Sequence, residues 1–178
     1  MSKAFTRESD DSPEEPVGPR SSLSLPPGAK NYLTPGGAQH LREDLNRLIE
    51  IDRPRIAALL DANETRRQRQ ILENRIRYLQ QSLDSAEIVP PPAPPHDQVR
   101  FGATVTVRDR SGNKSCYRIV GIDETDIDRD WVSWLSPIAR ALLGARLGQR
   151  VRFHIPTGEE ELEILSISYE QSANSKSR

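Results

Sequence analysis

The sequence has one cysteine, Cys116, in 178 residues, which excludes an intramolecular disulfide and any thiolate cluster around a metal. A reducing compartment suits such a chain. Long apolar runs are missing too: no stretch approaches the length of a membrane span, and no apolar secretion core stands near the N-terminus. A cytoplasmic protein without a membrane partner is expected. Charge imbalance is also absent. With 25 basic against 26 acidic residues and a net charge of −1, bulk charge does not argue for nucleic acid, and local patches must carry that case. His40, His96 and His154 are scattered, with neither metal-ligand spacing nor a Ser/His/Asp arrangement, so nothing supports a self-contained hydrolase.

Hydrophobic residues make up only 35% of the chain, so the apolar material must be concentrated in a few segments. Residues 1–30 are rich in Ser, Pro, Asp and Glu and are read as a disordered tail. Residues 171–178 are read as a second, loose tail. The run Pro90-Pro91-Pro92-Ala93-Pro94-Pro95 favours polyproline geometry, making residues 90–97 a semi-rigid linker between unlike halves.

The first half, residues 31–89, has helical periodicity. Thr34-Pro35 is an N-cap followed by a first-turn proline, and Leu41, Leu45, Leu48, Ile56 and Leu59 share one face. Pro54 interrupts that helix and predicts a kink or two shorter helices. Leu72, Ile76, Leu79 and Leu83 supply a partner stripe. Two arms of about 25 residues, each roughly 37 Å long, would form an antiparallel coiled-coil hairpin. Its turn is expected at Leu60 to Glu64.

Residues 98–170 change period. Ala103–Val107, Cys116–Ile122, Val151–Ile155 and Leu162–Tyr169 read as strands, with turns at Gly112-Asn113 and Thr157-Gly158. Ser136-Pro137 starts a short helix that Gly144 ends. The fold class is therefore α+β. Asp126–Asp130 looks like the start of a calcium loop, but Trp131 stands where the required glycine belongs and no glutamate occupies the twelfth position, leaving a solvated acidic loop.

Three segments resemble the GreA/GreB family of transcript-cleavage factors: Leu33-Thr34-Pro35-Gly36-Gly37-Ala38 through Leu45, Arg75-Ile76-Arg77-Tyr78-Leu79, and Ser136-Pro137-Ile138-Ala139-Arg140-Ala141-Leu142-Leu143. Phe101-Gly102-Ala103 and Tyr117–Gly121 also match, so the resemblance covers about residues 31 to 170. It implies a C-terminal domain of FKBP-like fold, without isomerase activity, that docks at the rim of the RNA polymerase secondary channel. The hairpin would enter the channel, and two tip carboxylates would help hold Mg²⁺ in the polymerase active site. The polymerase itself would then cleave backtracked nascent RNA. Such a factor is not an enzyme and has no cofactor of its own. Its partners would be RNA polymerase and the RNA 3′ end, and the chain would act as a monomer.

On this resemblance the tip carboxylates are Asp61 and Glu64, three positions apart, which are oxygen ligands suited to Mg²⁺. The same spacing equally describes a helix-capping pair. Arg66, Arg67, Arg69, Arg75 and Arg77 crowd the second arm against the single acid Glu73. Arg66, Arg67, Arg69 and Arg77 are candidates to meet RNA phosphates, with Arg66, Arg69 and Arg77 on one face. A solvated helix face accounts for them as well, since no aromatics are interleaved for base stacking. Leu135, Ser136, Pro137, Ile138 and Arg140 are the candidate polymerase contacts. Of Trp131 and Trp134 close by, at least one is expected in the core.

Two departures from the family pattern stand out. Leu60 occupies the position where glycine usually precedes the acidic pair, and the hairpin is shorter by roughly a dozen residues, or ~9 Å of reach at 1.5 Å per residue. A non-catalytic regulator that occupies the channel and competes with full-length factors is therefore a second reading. A third is an adaptor whose hairpin pairs with another protein's helix.

Overall fold

The computed structural model describes residues 25–59, 62–155 and 158–170. Most of the expected N-terminal tail, the whole C-terminal tail, Asp61 and Thr157 lie outside the described residues.

Helix α1, Pro35–Arg47, begins as its sequence requires: the Gly37 amide donates to Thr34 Oγ1 at 3.0 Å, with proline in the first turn. It runs into a single π-helical turn, Leu48–Asp52, before α2, Arg53–Ala57. The cause is Pro54. Its ring crowds the carbonyl four residues back and it has no amide to donate, so the turn before it widens and the Arg53 amide reaches back to the Leu48 carbonyl. The kink expected from Pro54 thus takes the form of a π turn. Helix α3, Ala62–Ser85, returns along the first arm.

Burial is uneven along the hairpin. Leu33, Ala38, Leu41 and Leu79 form a closed cluster at its base, with Leu45, Leu48 and Leu83 packed on it. Each such leucine withdrawn from water is worth roughly 1.5–3 kcal/mol, so the base is the firm end. Toward the tip Ile51, Leu59 and Ile71 are 61%, 41% and 56% exposed. Leu59 departs from its expected place in the seam because α2 stops at Ala57.

The base carries two short strands that periodicity does not reveal. Strand β1, Asn31–Leu33, pairs in parallel with β2, Ala86–Ile88, tying the chain before α1 to the chain after α3. Asn31 Nδ2 adds a hydrogen bond to the Ser82 carbonyl at 3.0 Å.

The second half is a five-stranded sheet in the order β5-β4-β3-β7-β6, made of β3 Ala103–Asp109, β4 Lys114–Val120, β5 Trp131–Ser133, β6 Arg150–Ile155 and β7 Gly158–Tyr169. All pairs are antiparallel except β4 with β5. Ala103, Val105 and Val107 alternate onto one face and are fully buried with Ile119, Val99 and Ile164. Helix α4, Pro137–Leu142, closes that face with Ala139 and Leu142. The molecule is α+β, with the hairpin and the sheet joined by contacts that position the candidate site.

Candidate functional site

Glu64 is exposed in the first turn of α3, where the amide dipoles favour a carboxylate, and Gln68 Nε2 donates to its Oε1 at 2.6 Å. Asp61, the other half of the expected tip pair, lies outside the described residues. Among the described residues no three His, Cys, Asp or Glu side chains gather in a group that could hold a metal.

The arginines of α3 divide between two flanks. Glu73 sits on the flank of Arg66, Arg69 and Arg77 and is already engaged: Arg53 Nε and Nη2 donate to it at 2.9 and 2.6 Å. Those hydrogen bonds hold its carboxyl below the usual range, and the charges of Arg69 and Arg77 act in the same direction. Arg67, Ile71 and Arg75 recur at intervals of four and so form a separate row. That row borders an open groove of about 790 Å³ between the arms, floored by Leu48, Ile56 and Leu72 and rimmed also by Arg55. Arg67 therefore faces away from the row that Arg66, Arg69 and Arg77 share. Among the described residues none of Arg55, Arg66, Arg67, Arg69, Arg75 and Arg77 has a carboxylate in ion-pairing range.

In the other half, the Ala139 amide donates to Ser136 Oγ at 3.3 Å, capping α4. Ile138 packs on the core, Leu135 is half-buried, and Pro137 and Arg140 are exposed. Replacing Ser136 with alanine is expected to cost about 1 kcal/mol, read as a lower urea midpoint with unchanged slope. Both tryptophans have structural work. Trp134 packs against the core and meets Tyr32 edge-on at 5.1 Å, while Trp131 lies under the guanidinium groups of Arg118 at 4.4 Å and Arg129 at 5.4 Å. The acidic loop is ordered by a 3-10 turn at Ile127–Arg129, in which the Asp128 amide donates to the Asp126 side chain at 3.0 Å.

The residues that join the two halves were not singled out by sequence reasoning. A 3-10 turn at Ile122–Glu124 follows β4 and presents two adjacent acids to the hairpin base. Asp123 accepts hydrogen bonds from Tyr78 Oη and Ser82 Oγ on α3. Glu124, 8% exposed, accepts from the Thr34 amide at 2.9 Å, the Gly121 amide at 3.0 Å and Thr34 Oγ1. Two glycines make room for this clasp. A Cβ on Gly37 would lie 1.9 Å from Glu124 Oε1, and one on Gly121 would lie 2.1 Å from the Tyr32 carbonyl oxygen.

Burial and the hydrogen bond to Asp123 push the Tyr78 hydroxyl up to about 12. Folding therefore favours neutral Tyr78. The stability this adds is complete below the ordinary value of 10.0 and is lost as pH rises to about 12. Because Tyr78 is only half-buried, solvent screening limits the effect to roughly 1 kcal/mol. Tyr78→Phe is expected to flatten the alkaline decline in stability over that window, measured by denaturant unfolding.

A family profile described as "Transcription elongation factor, GreA/GreB, C-term" matches residues 94–169. Transcription elongation factor GreB of Neisseria meningitidis serogroup A is 41% identical over 155 aligned positions, covering 79% of this chain and 94% of that protein. Transcription elongation factor GreA of Alkalilimnicola ehrlichii is 41% identical over 156, covering 79% and 99%. A solved structure, the prokaryotic transcription elongation factor GreA/GreB from Nitrosomonas europaea, aligns over 79% of this chain and 99% of that one at 22% identity with a TM-score of 0.40. Against the Neisseria protein, 79% of 178 residues is about 141, so about 14 of the 155 aligned positions have no residue here.

Proposed function

This chain belongs to the GreA/GreB family of transcription elongation factors, and from that premise we propose that it binds RNA polymerase at the secondary channel and promotes cleavage of backtracked nascent RNA there. The observation that carries this reading is the hairpin itself. It has an exposed acid at its distal turn, unpaired arginines behind it, and a base clasped to the sheet domain by Asp123 and Glu124.

In this reading Pro137 and Arg140 meet the rim of the polymerase, with Ser136 fixing the loop that presents them. Glu64, with Asp61, brings carboxylate oxygens to the polymerase active site. An exposed carboxylate in the first turn of a helix suits magnesium, which takes one or two protein carboxylates and keeps several waters. When bound there, magnesium neutralises phosphate charge and makes a nucleophile of water. Arg66, Arg69 and Arg77 steady the displaced RNA through its phosphates, while Arg67 contacts it only from the groove side.

The second reading, a channel-occupying regulator without cleavage activity, is favoured by the roughly 14 unmatched alignment positions, which agree in size with the shorter hairpin. Adding the protein to purified backtracked elongation complexes distinguishes the two. Shortened RNA is expected from the first; protein bound to polymerase with intact RNA, and blocking a full-length factor, would replace it with the second.

A further inference from the structure

The arginine-lined groove of the hairpin lies far from any acid of the sheet domain, yet the chain carries one segment of matching opposite charge. Between Glu8 and Glu15 stand Glu8, Asp10, Asp11, Glu14 and Glu15 with no basic residue among them. Between Arg66 and Arg77, α3 has five arginines and one acid, Glu73, whose carboxylate is already taken by Arg53. Arg67 and Arg75 therefore face the groove with no carboxylate partner among the described residues.

We propose that the acidic segment Glu8–Glu15 folds back along the hairpin and occupies Arg67 and Arg75 in cis, shielding the groove until a polyanion or an acidic polymerase surface displaces it.

The reach is sufficient. Lys30 is pinned at the hairpin base by Glu87 at 2.9 Å. From Lys30 back to Glu15 the chain has a contour of about 50 Å when extended. The groove starts near Leu48, only ~21 Å from the base at the helical rise, and α3 ends its outward course at ~36 Å. Tethering also holds the segment at an effective concentration of about millimolar, so a weak, largely electrostatic contact is populated without high affinity. Such a contact is released by salt. The exposed Ile71, between Arg67 and Arg75 in the same row, is partly covered in the same step.

The contact does not depend on the transcript-cleavage reading; only its consequence for RNA rests on that reading. The test uses the full chain with Cys116→Ser and a nitroxide on Ser12→Cys, which leaves every acid in place. At low ionic strength, amide signals from Arg66 to Arg77 are expected to broaden. The broadening should be independent of dilution, vanish at ~1 M salt, where the Debye length is ~3 Å, and drop sharply in Arg67→Ser/Arg75→Ser. Absence of broadening at low salt overturns the proposal. So does broadening that survives between separately labelled molecules, which would assign the groove to a second copy.

A functional arm follows with a single-stranded RNA oligonucleotide as probe. Exchanging the five acids for Asn and Gln is expected to tighten its binding roughly three- to tenfold at low salt. With broadening present, unchanged RNA affinity would overturn the shielding while leaving the contact.

Discussion

Glu124→Ala is expected to lower the unfolding midpoint by about 6–12 °C, the equivalent of about 3 kcal/mol in a chain of this size. The substitution removes an almost wholly buried carboxylate that accepts from three donors, the Thr34 amide, Thr34 Oγ1 and the Gly121 amide. None of those donors gains a replacement, and leaving buried donors unpaired is the expensive outcome. The loss falls on the junction between hairpin and sheet, so far-UV helicity should persist while the two halves lose their fixed orientation. Gly37→Ala should be comparably harmful in the native chain, because its Cβ would strike the Glu124 carboxylate. In Glu124→Ala the same Cβ finds space. The double variant is therefore expected to be more stable than the sum of the single losses, with a coupling of about 1 kcal/mol or more. Strict additivity would show that the clasp is not the source of the effect.

The second large effect is expected at the tip. Asp61→Ala/Glu64→Ala should leave polymerase binding within about twofold and reduce stimulated RNA cleavage by on the order of 100-fold or more, the usual scale when a charge-stabilising group is removed from a transition state. Glu64 is exposed and lies in no packed cluster, so its removal threatens the helix start only slightly. Its local partner, Gln68, is one turn away on an exposed face and loses little. Fold and chemistry are thus separable at the tip in a way that they are not at Glu124.

What the sequence makes legible and what it hides divide by range. Thr34-Pro35 and Ser136-Pro137 announce two helix starts because a cap acts on an amide three residues away. Alternation from Ala103 to Val107 announces a strand because its inward face is wholly buried. The α+β class follows from those local signals together. By contrast β1, β2 and β5 have three residues each, too few to display a period. Asp123 and Glu124 look like an ordinary polar turn after β4, since their partners stand 41 to 90 residues away. The parting of Arg67 from the Arg66, Arg69 and Arg77 row becomes meaningful only once the first arm supplies the other wall of the groove.

The measurement that bears most directly on the account is nascent-RNA cleavage in purified backtracked elongation complexes, comparing the native chain with Asp61→Ala/Glu64→Ala at matched magnesium and salt. The account predicts stimulated cleavage by the native chain and its loss in the variant, with both proteins bound to the polymerase. Equal cleavage by the two proteins would contradict it.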